Sequence, residues 1–355
     1  MNVAVLGYGT VGSGVVEILK DKKDINLMKV YNRKNKIKEA ALGNLYTENL
    51  DDVLKNQDID VIIETMGGIA ACEIIKNALL NKKHVITANK EVVALYLEEL
   101  LLLAKKNNVM FLFEASVAGT IPVIRNVCDL VKSDKIKYMC GILNGTTNYI
   151  LTRMKMGISF SDALKEAQGY GYAELDPEAD LLGLDMVRKI AILTMLATNS
   201  KVEIKDIYHY GIKGINQKFL AGIPKDKTIK FIAESIIIDD QINLVIEPVA
   251  FDQEHLLANL NYNYNGIIIE TLNHGQLFFS GFGAGKMPTA SAVVDDLCKI
   301  ITGCNYVYYL NENNYHTRRI KDISDYYVFD GNQVVLKKNI SRDEAKIYQF
   351  YARVM

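Results

Sequence analysis

The sequence predicts a two-domain α/β protein, an N-terminal parallel sheet wound with helices followed by an α+β domain. Three observations predict it. Residues 1–134 alternate short β-rich runs with helical periodicity, residues 228–282 carry strand alternation with little helix between, and a glycine loop marks the first strand-to-helix junction. Strands buried on both faces and separated by crossovers form parallel sheets, whereas alternating strands joined by tight turns form antiparallel ones.

In chain order, VAVLG (3–7) leads into TVGSGVVEILK (10–20), and NLMKVYN (26–32), DVIIETMGG (60–68), HVITANK (84–90) and VMFLFEAS (109–116) follow, separated by helix-like segments. The texture changes at KIKYMCGIL (135–143). Helices are expected around 159–169 and 181–197, then strands in KFIAESIII and INLVIEPVAF split by the turn-like DDQ. A last helix is expected over about 288–303 after a glycine-rich loop, crossing back to the first domain. The expected division is 1–134, 135–285, a returning helix and segment over 286–324, and a short tail over 325–355.

Composition narrows the function. At 355 residues and 49% hydrophobic content the chain can bury two cores. Its 41 basic and 42 acidic residues nearly cancel, so no overall basic field attracts nucleic acid or anionic lipid, and a small-molecule partner is expected. Five scattered cysteines without a C-x-x-C pair fit reduced thiols. No apolar run approaches the roughly 18 residues of a membrane span and no removable leader precedes the first strand, so a cytoplasmic protein without a membrane partner is expected.

The glycine loop is Gly7-x-Gly9-x-x-Gly12, directly after a strand and at the mouth of a helix that begins with Thr10 and Val11. Gly7 permits the tight turn, Gly9 lets backbone approach a pyrophosphate, Gly12 allows close helix–strand packing, and the helix N-terminus supplies N–H donors. This strand–turn–helix setting makes a dinucleotide site, and hence a Rossmann-type domain, the expected reading over a merely flexible loop. About 20 residues on, where NAD sites place an acid, the chain has Asn32-Arg33-Lys34. Arg33 and Lys34 suit a 2′-phosphate, favouring NADP with NAD as the alternative; a solvated basic turn is the competing explanation.

Residues 169–189, GYGYAELDPEADLLGLDMVRK, place Glu174, Asp176, Glu178, Asp180 and Asp185 in an otherwise apolar stretch that ends near Lys189. Asp185 and Lys189 are four apart and share a helical face with Leu181, Ile192 and Leu196. On a surface such a pair is worth about 0.3–0.5 kcal/mol. Here the apolar neighbours indicate burial, which charges tolerate only when paired. Pro177 keeps the upstream acids out of a continuous helix, and solvation with N-capping explains Glu178. Glu174 and Asp180 are candidates for holding a substrate ammonium, and Lys189 for moving a proton beside a hydride.

GYGTVGSGV, ITANKE, EASVAGTIP, LNGTTNYIL, AQGYGYAELDPEADLLGLDMVRK and GAGKMPTASAVVDDL, in this order and spacing, resemble homoserine dehydrogenase. The motifs run from residue 6 to about 297. The resemblance implies interconversion of L-homoserine and L-aspartate 4-semialdehyde with NAD(P) in threonine and methionine biosynthesis, by a homodimer whose second domain is catalytic and dimerising. It places the catalytic lysine at Lys189, a substrate aspartate at Asp185 and the glutamate before D-P at Glu174, with Gly171 and Tyr172 alongside. It places a second lysine, Lys90, near substrate and nicotinamide, and Thr146 at the substrate. It assigns Thr65, Gly171, Glu174, Gly283 and Gly285 to the cofactor, and a monovalent cation, usually sodium, to Glu114 and the carbonyls of Val117, Gly119 and Ile121.

Two departures stand out. Thr120 replaces a glycine common in the cation loop, and about fifty residues follow Gly303 where long members append an ACT module of some seventy-odd, so threonine feedback through such a module is not expected. The alternatives are another amino-acid-pathway oxidoreductase, such as aspartate-semialdehyde dehydrogenase, and a non-catalytic NAD(P) sensor. Acyl-enzyme chemistry needs an activated cysteine, for which no motif is evident.

Overall fold

The structure, a computed structural model, describes residues 1–33, 40–303, 315–318 and 323–355. It divides into two compact units, one holding Met1–Asp129 and the chain from Gly285, the other Leu130–Ala284 and the last segment of the chain.

Among the described residues of the first unit, six strands pair in parallel in the order β3-β2-β1-β4-β5-β6: β1 Asn2–Leu6, β2 Asn26–Tyr31, β3 Tyr46–Thr47, β4 Val61–Glu64, β5 His84–Thr87 and β6 Phe111–Leu112. This is the doubly wound arrangement, with the chain reversing direction across the sheet beside β1. Val3, Val5, Val61, Ile63 and Ile86 form its core with Val15 and Leu19 of helix Thr10–Leu19 and Val293 and Leu297 of helix Lys286–Thr302. The expected last helix therefore joins this unit, beginning two residues earlier than expected and carrying Pro288 in its first turn, where a missing N–H costs nothing. It packs closely because Gly14 has no side chain: a Cβ there would lie 2.9 Å from that of Ala290.

The second unit is built on a larger sheet in the order β12-β11-β7-β9-β10-β16-β14-β15. Its strands are β7 Ile136–Ile142, β9 Lys227–Ile238, β10 Gln241–Asp252, β11 Tyr264–Thr271, β12 Gln276–Phe282, β14 Ile323–Phe329, β15 Val334–Ser341 and β16 Phe350–Val354; β8 Tyr208–His209 and β13 His316–Thr317 also pair with β10. The segment expected as a tail thus continues this sheet. Its hold is electrostatic as well as apolar: Arg353 meets Glu234 at 2.6 Å and Glu247 at 2.8 Å, and Arg342 meets Glu247 at 2.9 Å, all buried. Removing one member of such a network strands the others, at a cost of about 3–5 kcal/mol.

One expected helix is corrected. The run read as helix from Leu181 is broken, with a short helix Glu178–Leu181 followed by Leu184–Thr198. Gly183 makes the break at φ +86°, and a Cβ there would meet the Phe231 ring at 2.9 Å.

Candidate active site

In the second unit, β7 delivers the chain to Asn144, which caps helix Gly145–Lys155 by accepting the Thr147 N–H at 2.8 Å. Its amide nitrogen faces the other way and donates to Asp180 and to Asp185, each at 2.8 Å. Asp185 lies in the first turn of helix Leu184–Thr198, where the dipole favours an anion. One turn on, the Lys189 ammonium sits 2.7 Å from Asp185 Oδ2 and donates to the Leu143 carbonyl at 2.7 Å. Asp185 is 2% exposed and Lys189 8%. One asparagine therefore ties two acids from separate helices to one buried amine, a cluster able to bind a cation and to move a proton.

Thr146 donates to the Tyr172 carbonyl, joining the glycine–tyrosine turn to this helix. Gly171, at φ +74°, makes that turn. Glu174 is exposed, its carbonyl accepting from Gln168, and among the described residues no hydrogen bond or ion pair joins its carboxylate to the cluster. Asn144 escaped the sequence reading. An Asn just before a helical run signals an N-cap, but nothing local reveals that its other end reaches residues 36 and 41 positions away. Gly283, also of this unit, donates its N–H to Asn263 O at 2.9 Å, and a Cβ there would overlap Asn265.

In the first unit, Gly7 adopts φ +97°, and a Cβ on Gly12 would lie 1.9 Å from the Gly7 carbonyl oxygen and 2.7 Å from Thr65 Oγ1. Gly9 caps the helix with open space around it, and Thr10 and Val11 begin the first turn, whose N–H groups have no intrahelical acceptor. Thr65 donates to the carbonyls of Leu6 and Gly7 at 3.1 and 2.9 Å, fixing the turn from β4. Asn32 follows β2 and accepts the Tyr8 N–H at 3.2 Å, so a neutral amide occupies the place of an NAD-type acid; Arg33 beside it is exposed, and Lys34 lies outside the described residues. Lys90 is half-buried at the start of helix Lys90–Lys106, which Asn89 caps. Gly285, at φ +135°, caps helix Lys286–Thr302 with no side-chain hydrogen bond.

Glu114 is 4% exposed and accepts the N–H groups of Ile124 and Arg125 at 2.8 and 3.1 Å, with the Lys299 ammonium 3.7 Å away. Burial, and then the neighbouring Asp296, pushes its pKa up to about 7. In the following loop Ala118 and Gly119 have φ +59° and +65°, whereas Thr120 is not among the residues of positive φ, so its side chain imposes no backbone strain there. The Ile121 carbonyl accepts the Val123 N–H at 2.7 Å. Among the described residues no group of three or more His, Cys, Asp or Glu side chains could hold a metal, and no helix is long and apolar enough to cross a membrane.

Comparison with known proteins accounts for both units. The family profile described as "Homoserine dehydrogenase, NAD binding domain" matches residues 7–114, and "Homoserine dehydrogenase" matches residues 122–298. The chain is 38% identical over 351 residues to the homoserine dehydrogenase of Bacillus subtilis, covering 92% of this chain and 79% of that one. The crystal structure of a homoserine dehydrogenase from Thiobacillus denitrificans superposes with a TM-score of 0.85 at 31% identity, covering 93% and 83% of the two chains. That of Staphylococcus aureus superposes at 0.78 with 29% identity, covering 100% and 98%. A hyperthermophilic archaeal homoserine dehydrogenase solved with NADPH shares the fold, with a TM-score of 0.73 at 24% identity. The chain belongs to the homoserine dehydrogenase family, NAD(P)-dependent oxidoreductases acting on a CH–OH group.

Proposed function

We propose that the Asn144–Asp180–Asp185–Lys189 cluster binds L-homoserine and that Lys189 exchanges the proton of its C4 oxygen. The observation that supports this is the buried Lys189 amine, held 2.7 Å from a carboxylate and 2.7 Å from a carbonyl within an apolar helix. Two fixed acceptors aim one titratable group. Bound NAD(P) supplies the hydride acceptor for oxidation and the donor for reduction. In oxidation neutral Lys189 accepts the hydroxyl proton; in reduction the Lys189 ammonium returns it to the carbonyl oxygen of the semialdehyde. Asp185 and Glu174 hold the substrate ammonium, with Asp180 supporting Asp185 through Asn144, and Thr146 and Tyr172 lie alongside. Lys90 steadies the nicotinamide.

The glycine loop, Thr65 and Gly285 hold the cofactor, with Arg33 and Lys34 receiving a 2′-phosphate. Asn32 in place of an acid favours NADP over NAD. Arg33→Glu should weaken NADP about tenfold or more while leaving NAD nearly unchanged, since the repulsion acts on the phosphate alone. Titrating both cofactors against the variant checks this, and an equal loss for both would remove Arg33 from that role.

The donor set of Glu114, Val117, Gly119 and Ile121 is all oxygen, which fits a hard monovalent cation such as sodium. Its charge would keep Glu114 ionised and the loop closed. Replacing choline chloride by sodium chloride at equal ionic strength should raise Tm in the wild type and not in Glu114→Gln; the same rise in both would remove the site. The family relationship also supports a cytoplasmic homodimer serving threonine and methionine biosynthesis. A solution mass of one 39.8 kDa chain would contradict the dimer.

A further inference from the structure

The crest of the first unit's sheet carries a buried acid that the chemistry described so far does not use. Glu64 ends β4 and is 0% exposed. Its Oε1 accepts the N–H groups of Met66 and Gly67 at 2.7 and 3.0 Å, and its Oε2 accepts the Thr87 hydroxyl at 2.5 Å. Thr87 in turn accepts the Asn89 N–H at 2.9 Å. Asn89 donates to the Gly68 carbonyl at 2.9 Å and caps the helix that Lys90 begins. The ring of bonds closes on itself, from the loop after β4 to the loop after β5 and back. Thr65, the next residue along, holds the glycine turn after β1. Three adjacent strands of an α/β sheet thus have their C-terminal loops locked together, at the edge where such sheets bind ligands.

A staple for one loop alone does not explain the residue type. A carboxylate taken out of water among uncharged donors is costly, and burial pushes Glu64 above the usual carboxylate range against the hydrogen bonds of Thr87, Gly67 and Met66. What the carboxylate alone supplies is two acceptor oxygens on one rigid fork, one for each loop. Gly67 and Gly68, at φ +73° and +76°, give the first loop a shape that needs such a restraint, because glycine backbones are the least self-ordering.

We propose that Glu64 is a positioning residue of the cofactor site, holding the Met66–Gly68 loop and the Asn89–Lys90 helix start in the geometry that receives NAD(P). The proposal rests on the reading that the glycine loop holds the cofactor. Glu64→Ala should raise the Kd and KM for NADP about tenfold or more, through loss of charge-assisted hydrogen bonds in both loops, with the KM for homoserine at saturating NADP nearly unchanged. Glu64→Gln keeps an oxygen for the Met66 and Gly67 N–H groups but loses the acceptor for Thr87, so its NADP Kd should fall between those of wild type and Glu64→Ala. Should Glu64→Ala not fold, Thr87→Val cuts the same ring at a milder point and should raise the NADP Kd by about threefold or more.

Direct titration of NADP, followed by fluorescence, separates the outcomes. A folded Glu64→Ala with wild-type NADP affinity, a Thr87→Val with wild-type affinity, or a Glu64→Gln as impaired as Glu64→Ala would overturn the proposal. A wild type that binds NADP while a Gly12→Val variant binds it equally well would instead overturn the reading of the glycine loop, and this proposal with it.

Discussion

Lys189→Met is expected to lower kcat for homoserine oxidation by about 10²–10⁴-fold, the range that a positioned proton-transfer group contributes, with NADP affinity retained. Methionine fills a similar volume in the apolar helix but carries no exchangeable proton. Both 2.7 Å contacts of the ammonium, to Asp185 and to the Leu143 carbonyl, disappear. Asp185 keeps the Asn144 amide at 2.8 Å, so the carboxylate is not wholly stranded. The variant should still be less stable, by up to about 3–5 kcal/mol, because half of a buried ion pair is removed. A melting curve on the same sample shows whether a low rate reflects chemistry or unfolding of the second unit, to which Lys189 belongs; NADP titration reports on the glycine loop and its supports in the first unit. Near-normal kcat would take Lys189 out of its assigned role.

Asp185→Asn should act on binding. The amide retains an oxygen for Asn144 and a similar shape, yet loses the charge that an amino-acid ammonium would meet. A hydrogen bond to a charged partner is worth about 1.5–3 kcal/mol, so KM for homoserine should rise by about ten- to a hundredfold. Turnover should fall less, because Lys189 keeps the Leu143 carbonyl as its second restraint. The cofactor constants should stay near wild type. A variant whose KM is unchanged would make the acids around residue 180 a structural feature of the helix junction.

Much of this was legible in the sequence because the signals are local. The Gly7–Gly12 loop carries its mechanics in a six-residue spacing, and the positive φ of Gly7 and the tight fit of Gly12 follow from having no side chain. The Asp185–Lys189 pair was legible because helix geometry brings positions four apart together, and the apolar residues around it announced burial. What stayed hidden depends on tertiary closure. Asn144 looks like an ordinary cap until helix Leu184–Thr198 folds against it. Glu64 reads as the end of a strand, and its ring of partners spans residues 66–89. Gly183 sits in a pattern that favours continuous helix, and only the packing of Phe231 shows why the chain must break there. The last strands lie where only a short tail is expected, and the sheet they join is chosen by Glu234 and Glu247, more than 90 residues upstream of Arg342 and Arg353.

The central claim is that one cluster in the second unit both binds homoserine and moves its proton. The measurement that tests it most directly is the initial rate of NADP reduction against homoserine concentration for wild type, Asp185→Asn and Lys189→Met, run side by side at saturating NADP. The account predicts homoserine-dependent reduction by the wild type, a raised KM with much of kcat kept in Asp185→Asn, and a collapsed kcat in a Lys189→Met protein that still binds NADP. Wild-type kcat and KM in both variants would contradict it and place the chemistry elsewhere in the chain.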